Sequence, residues 1–325
     1  MKTKILRILE DNRGEFVSGE ELAEKFWVSR AAVWKAVDNL RREGHKITAI
    51  TNKGYSLSRL SDVLTEGGIT SHLQPDTKIS RVICLDTVNS TNTYAKKLAL
   101  DGAEHGTLIA ANHQTAGRGR HGHNFESPAG TGLYMTLILR PRIDIQKFQM
   151  ITIADAVAVC LAVEELCGEM KPRIKWVNDI FLRGKKITGI LTEAVTNFES
   201  GEIESVVTGI GINITTHKFS GDFEGGAIFE DDNITFGRDE LCARVADYIM
   251  TFAENLDDPE IINAYRERSM LTGKRITYLK NDARCSGQVE GIDDSGGLVI
   301  VNSAGRTETL RSGEVFMLRT EEKTS

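Results

Sequence analysis

The sequence predicts an α+β protein in three parts. Residues 1–60 read as a winged helix-turn-helix, 61–77 as a linker, 78–269 as a central α/β domain with a mixed or mainly antiparallel sheet, and 270–320 as a small β-barrel, SH3-like in size. Three observations carry this reading. Two short amphipathic helical patterns lead into a hairpin pattern near the start. In the middle, several strand patterns follow one another with no helix between them. The tail holds five short strand patterns separated by Asn, Asp, Gly and Ser.

Composition is consistent with a multi-domain globular chain. Of 325 residues, 40% are hydrophobic and 26% charged, enough apolar material for a sizeable core. No apolar run approaches the roughly 20 residues that span a bilayer, and Met1-Lys2-Thr3-Lys4 opens an amphipathic pattern rather than a signal peptide, so a cytoplasmic protein with no membrane partner is expected. The five cysteines are scattered without a CxxC pair, and His113, His121 and His123 lack a carboxylate partner at zincin spacing. The chain therefore offers free thiols and no metal-ligating residues. Net charge is −6 overall, but residues 1–60 hold 12 Lys/Arg against 8 Asp/Glu, leaving 28 against 38 for the rest. A basic module joined to an acidic one is the pattern of a nucleic-acid-binding domain attached to an unrelated domain.

Within the first module, residues 3–11 form a helical pattern through Ile5, Leu6, Ile8 and Leu9. Ser18-Gly19-Glu20-Glu21 has the capping-box form and starts a short helix that buries Leu22, Ala23 and Phe26. Ser29 caps a third helix over 30–43, with Val33, Ala36, Val37 and Leu40 on one face, ended by Gly44. Residues 46–50 and 55–57 alternate across Asn52-Lys53-Gly54 as a wing. If this module binds DNA, Arg30, Lys35 and Lys53 are the candidate contacts; a helical protein-interaction module is the alternative.

Strand patterns in the central region fall at 82–85, 107–111, 133–139, 174–177, 187–193 and 205–213, with helices at 91–100, 151–167, 238–253 and 261–269. Directly after the 107–111 strand comes Gln114-Thr115-Ala116-Gly117-Arg118-Gly119-Arg120-His121-Gly122. Glycine permits close backbone approach and positive φ, and guanidinium groups match phosphate and carboxylate oxygens, so the loop is suited to an anion. It is not a P-loop, and residues 124–132 do not continue as the helix a dinucleotide fingerprint requires. A solvated basic turn is the bland alternative.

Four more segments accompany the loop. Asn89-Ser90-Thr91-Asn92 precedes a helix that it caps. Lys175-Trp176-Val177-Asn178-Asp179 sets an aromatic beside an amide, suited to stacking on and reading adenine, or simply a turn. Gly184-Lys185-Lys186-Ile187-Thr188-Gly189-Ile190 places lysines at a strand start. Gly209-Ile210-Gly211-Ile212-Asn213 puts glycines inside a strand, the mark of a bulge or of a ligand against the backbone.

Taken together, STNTYA, QTAGRGRHG, KWVND, KKITGIL and GIGIN, in this order and behind a winged helix, resemble the bifunctional biotin protein ligases that also repress biotin operons. The resemblance covers nearly the whole chain and implies a catalytic domain like those of class II synthetases. It implies biotin contacts from Ser90, Thr91, Asn92, Gln114, Arg118, Gly119, Arg120 and Lys186, with Arg118, Arg120 and Lys186 also catalytic. Phe125, Asn178 and Arg319 are implied for the nucleotide. ATP, biotin and Mg²⁺ are the implied substrates and ion. A biotin carboxyl carrier protein domain, operator DNA and a homodimer formed when the adenylate is bound are the implied partners.

Val177 stands where the family usually has proline, His123 where it has arginine and Phe125 where it has tryptophan. A neutral His123 and the smaller ring of Phe125 imply weaker nucleotide contact. The implied chemistry has two steps. Biotin's carboxylate attacks the α-phosphorus of ATP, and the adenylate then acylates an acceptor lysine. Neither step needs a protein nucleophile, so positioning and cation clamping carry it. Ordering of the glycine-arginine loop over the adenylate is expected, with Arg120→Gly releasing the intermediate. A lipoate-type ligase, a sensor without catalysis and a ligase with an idle DNA domain are the competing readings.

Overall fold

The computed structural model describes residues 1–58, 61–141, 147–196, 202–215, 219, 225–230, 234–280, 283–313 and 315–317. At the N-terminus, α1 (Lys2–Asp11), α2 (Gly19–Lys25) and α3 (Arg30–Arg42) precede a hairpin of β1 (Ile47–Ile50) and β2 (Gly54–Leu57). Both expected caps form: Ser18 accepts from the Glu20 amide and Ser29 from the Ala32 amide, each at 3.2 Å. Such caps contribute about 1 kcal/mol apiece. Ile5, Leu9, Leu22, Val33, Val37 and Leu40 close on Ile47 and Leu57 as one core. In the wing, Gly54 has φ +103°, and a Cβ there would lie 2.0 Å from the Val17 carbonyl, so only glycine fits.

The segment expected as a linker contains a helix, α4 (Glu66–His72), capped by Thr65 and wedged between α1 and α7 (Arg238–Glu254). Its two glycines permit close approach to neighbouring elements. A Cβ on Gly67 would meet Thr3 at 2.7 Å, and one on Gly68 would meet Asp239 at 2.7 Å. Two arginine pairs cross this junction. Arg13 of the N-terminal module pairs with Asp239 at 2.9 Å and also with Glu10, while Arg238 pairs with Asp62 at 2.8 Å. Among the described residues, Glu10, His72 and Asp239 are the one trio of acidic or imidazole groups close enough to share an ion. The Arg13 guanidinium pairs with both carboxylates, which makes the trio part of an ion-pair network.

The central sheet has seven strands in the order β3 (Arg81–Val88), β4 (Thr107–Gln114), β5 (Gly132–Leu139), β9 (Ile203–Asn213), β8 (Lys185–Thr196), β7 (Asp179–Leu182), β6 (Arg173–Lys175). Only β3 and β4 run parallel, joined by the crossover helix α5 (Thr91–Leu100); the other pairs are antiparallel. The mixed sheet agrees with the sequence pattern. Strand β7 was not expected, because Asn178-Asp179 reads as a turn. It pairs with β8 through a two-residue hairpin at Arg183 (φ +50°) and Gly184 (φ +77°), a primed turn whose twist suits adjacent strands.

Helix α6 (Phe148–Cys167) is apolar almost all round because it is enclosed by the sheet, α7 and α8 (Pro259–Arg268). No helix among the described residues is long and apolar enough to cross a membrane. One acid sits in this core. Asp155 of α6 is 1% exposed and accepts hydrogen bonds from Thr208 and Thr192. Burial pushes it up to about 7, against the hydrogen bonds that favour the carboxylate. The folded state therefore binds a proton that the unfolded chain has released between roughly pH 4 and 7, and stability falls as pH rises through that window. Asp155→Asn is expected to abolish this slope and to raise the melting temperature most above pH 7. A thermal series from pH 5 to 8 with the same slope in both proteins would overturn it.

The tail forms a five-stranded antiparallel sheet, β13 (Thr307–Leu310), β12 (Leu298–Asn302), β11 (Ala283–Ile292), β10 (Arg275–Lys280), β14 (Val315–Met317). The expected strand at 314–318 is present, with positions 314 and 318 outside the described residues. This sheet docks on the central domain. The Trp176 indole N–H and the Gln149 amide both donate to the Gly296 carbonyl, at 2.9 and 2.7 Å. All five cysteines are free, with Cys160 and Cys242 buried and the others half-buried.

Candidate active site

The N-terminus of α5, the end of β4, the glycine-arginine loop and the β7–β8 hairpin converge on one cavity of about 550 Å³. Ser90 is both the cap of α5, accepting from the Thr93 amide, and part of the cavity wall. The residue that caps the helix therefore also faces the cavity. Gln114 ties the two elements. Its carbonyl accepts from the Thr91 amide at 2.8 Å and the Thr91 hydroxyl at 3.1 Å, and its amide donates to Ser127 at 2.8 Å.

The loop folds back on itself rather than opening a helix. Gly119 donates to the His123 carbonyl and Phe125 to the Gly117 carbonyl, at 2.7 and 2.9 Å. A short 3-10 turn over Arg120–Gly122 places His121 at φ +53° and Gly122 at φ +80°. Gly117 is required, since its Cβ would stand 2.2 Å from the Phe125 carbonyl. The Phe125 ring lies over Gly189 and Gly211 and meets Tyr134 edge-on at 6.4 Å. A Cβ at Gly211 would be 2.3 Å from that ring, so the glycines inside the strands form a flat floor.

The cationic side chains are held by polar partners. Arg120 donates to the Asn178 carbonyl oxygen at 2.9 Å, and the Asn178 amide donates to the Ile190 carbonyl at 3.0 Å. Lys186 lies 2.7 Å from the Asp179 carboxylate. Arg118 is exposed at the rim. The site has no serine-histidine-acid set among the described residues that could serve as a nucleophile, and its resource is cations around a space.

Ser90, Thr91, Asn92, Gln114, Arg118, Gly119, Arg120, Phe125, Asn178 and Lys186 all line this cavity. Asn92 does so as a strut. Its amide nitrogen donates to the Leu191 carbonyl and Glu193, and its oxygen accepts from Thr136 at 2.7 Å. Trp176, expected as an open stacking face, is 4% exposed with its N–H on Gly296. Arg319 lies outside the described residues. Sequence reasoning missed the wall supplied by the C-terminal sheet, where Val315 and Phe316 line the cavity and the Lys175 ammonium sits 5.7 Å from the Phe316 ring centre. It also missed Asp179 as the partner of Lys186; the alternation after the KWVND motif was the available signal for both β7 and that acid.

In the N-terminal module, Arg30 and Lys35 are exposed on α3, and Lys53 is exposed at the wing tip. They share the N-terminal module but stand apart from the cavity residues in the fold.

Comparison with known proteins agrees with this architecture. Residues 84–213 match the model described as "Biotin/lipoate A/B protein ligase family", residues 2–56 one described as "HTH domain", and residues 272–318 one described as "Biotin protein ligase C terminal domain". A Bifunctional ligase/repressor BirA of Bacillus subtilis is 39% identical over 214 residues, 66% of this chain and 65% of that protein's length. A Biotin--[acetyl-CoA-carboxylase] ligase of Paracoccus denitrificans is 32% identical over 241 residues, 71% of this chain and 98% of that one. Among solved structures, a biotin protein ligase from Aquifex aeolicus in complex with biotin and ATP shares the fold, with TM-score 0.61 and 24% identity over 74% of this chain and all of that one. With a relative matched along nearly its whole length, and with ligase, helix-turn-helix and C-terminal models following in order along the sequence, the chain belongs to the biotin protein ligase family.

Proposed function

We propose that this chain activates biotin with ATP to biotinyl-5′-AMP and transfers the biotin to a lysine of a biotin carboxyl carrier domain, and that it is also a biotin-responsive repressor. The observation that carries the catalytic half is the cavity shared by the start of α5, the glycine-arginine loop and the β7–β8 hairpin. Its polar end is built from Ser90, Thr91 and Gln114, and its cations are Arg118, Arg120 and Lys186. Biotin is a neutral ureido ring on an apolar tail that ends in a carboxylate. Hydroxyls and an amide suit the ring, and the cations suit the end where charge accumulates.

The two steps then follow from positioning. A carboxylate oxygen forms a bond to the α-phosphorus as pyrophosphate leaves, and like-charge repulsion between the two anions is the barrier that Lys186, Arg120 and Arg118 lower. Mg²⁺, brought in with ATP as substrate, would offset part of the negative charge that the cations face. Family resemblance assigns Phe125 and Asn178 to the adenine and Arg319 to the phosphates, and the presence of the first two in the cavity lining supports that assignment. The acceptor lysine amine then attacks the acyl carbon and AMP leaves. The glycine-arginine loop shields the mixed anhydride from water until that point.

For the regulatory half, the basic N-terminal module with Arg30, Lys35 and Lys53 exposed supports operator binding, and a dimer formed with the adenylate bound matches a two-fold site. The C-terminal module is read as an SH3-like barrel from its size and from its five-stranded antiparallel sheet, in which β14 returns to pair with β10. The deciding assay is pyrophosphate release with ATP, Mg²⁺ and either biotin or lipoate, followed by transfer to a biotin-acceptor domain. Biotin-dependent release with transfer is expected. Release with lipoate alone, or biotin binding without release, would replace this reading by a lipoate ligase or a sensor.

A further inference from the structure

The chain has three tryptophans. Trp176 is in the core, whereas Trp27 and Trp34 are 95% and 57% exposed. An indole left in water forgoes the burial that normally makes this side chain worth having, so an exposed one on an ordered element calls for a partner. Both lie in the N-terminal module. Trp27 occupies the turn between α2 and α3 with φ +54°, and Trp34 stands one helical turn after Arg30 in α3.

The position of Trp34 on its helix decides what it can meet. Val33, Ala36, Val37 and Leu40 of α3 are buried, and Ala31, Trp34 and Lys35 are exposed in the N-terminal half. Farther along, Asp38 is engaged with Arg42 at 2.7 Å. The exposed strip of α3 is thus apolar at Ala31 and Trp34 and flanked by the cations Arg30 and Lys35. Such a strip fits one class of surface well. Duplex DNA presents phosphates at the groove edges for the cations, and the C5-methyl of thymine is the one apolar group on the major-groove floor. A protein partner would have to accept the same excess of positive charge that residues 1–60 carry.

We infer that Trp34, with Ala31 beside it, is a specificity-determining residue that packs on thymine C5-methyl groups in the major groove, while Arg30 and Lys35 hold the backbone. This rests on the DNA-binding reading above and adds the base it selects. Two consequences separate apolar readout from charge. Trp34→Ala weakens binding without altering the salt dependence, because no phosphate contact is lost. Replacing thymine by deoxyuracil in the duplex removes only the methyl group, and the wild-type protein feels it.

The probe is a set of 30-base-pair duplexes enriched by the wild-type protein from a randomised library with biotin and ATP present, then synthesised with thymine or with deoxyuracil. Burial of one methyl corresponds to about a fourfold change in affinity. The expected result is a loss of about that size per contacted thymine for the wild type and none for Trp34→Ala, with parallel salt slopes. Trp34→Phe, which keeps an apolar ring, retains the sensitivity. Equal affinity for both duplexes, or equal losses in wild type and Trp34→Ala, overturns the assignment of Trp34 while leaving DNA binding intact. Failure to enrich any duplex sinks the DNA-binding reading itself, and this inference with it. Trp34 is solvent-exposed, and unchanged hydrogen-exchange protection of the α1 and α3 amides in Trp34→Ala controls for folding of the module.

Discussion

Lys186→Ala is expected to reduce the rate of adenylate formation by about 10²- to 10³-fold, the usual effect of removing one preorganised charge from a site where negative charge accumulates. The geometry makes the loss larger than the missing cation alone. Lys186 neutralises Asp179 at 2.7 Å, and both side chains are about one-fifth exposed. Without the lysine, a partly buried carboxylate faces two anionic substrates. The variant should therefore lose substrate affinity as well as rate. Adding Asp179→Asn should restore much of the KM and little of the kcat, since the repulsion is gone but the cation is still missing. Steady-state pyrophosphate release for the single and double variants measures both. A kcat within threefold of wild type in Lys186→Ala would remove the lysine from the chemistry.

At the junction of the N-terminal module, Arg13→Ala is expected to cost about 3–5 kcal/mol, the range for breaking a buried ion pair from one side. Asp239 is 1% exposed and Glu10 5%, and Arg13 is the cation that serves both. Burial first, then the Asp239 charge, pushes Glu10 up to about 7, above its ordinary 4.5, while Arg13 pulls it down. The sign follows from a raised carboxylate. The docked form holds a proton that a freed Glu10 has lost, so docking weakens as pH rises from about 4.5 through 7.

Removing Arg13 takes away the opposing charge, so the deficit should be greatest above pH 7 and should shrink toward pH 5.5. Arg13→Ala/Glu10→Gln should be less damaged than Arg13→Ala, having one fewer buried charge. Hydrogen exchange of the α1 and α4 amides across this pH range reads the docking directly. Protection independent of pH, or a double variant worse than the single, would overturn the account. Pyrophosphate release should change little, because the cavity lies elsewhere, whereas coupling of ligand to DNA affinity should fall.

Periodic burial made most elements legible in the sequence. Helix α5 has the expected limits, and α3, β5 and α6 differ by one to three residues. Each is set by a local cap, a glycine or a run of apolar side chains. Strand β7 and helix α4 were hidden because their signals conflict with local propensity. Asn178-Asp179 favours a turn, and Gly67-Gly68 disfavours a helix, until neighbouring elements supply hydrogen bonds and space. The same conflict conceals Asn92, an apparent ligand whose amide is used up by β5, β8 and Glu193.

By itself the sequence determined most helices and strands, the mixed sheet and the basic first module, because these depend on side-chain period and charge along the chain. The residues grouped around the glycine-arginine loop came instead from resemblance to the ligase motifs. Only the tertiary structure decided that Lys186 faces Asp179, that Arg120 reaches Asn178, that the C-terminal sheet walls the cavity, and that Arg13 clamps the first module to α7. Those are pairings between residues as far as 226 positions apart, and their geometry is set by how the layers pack rather than by any local preference.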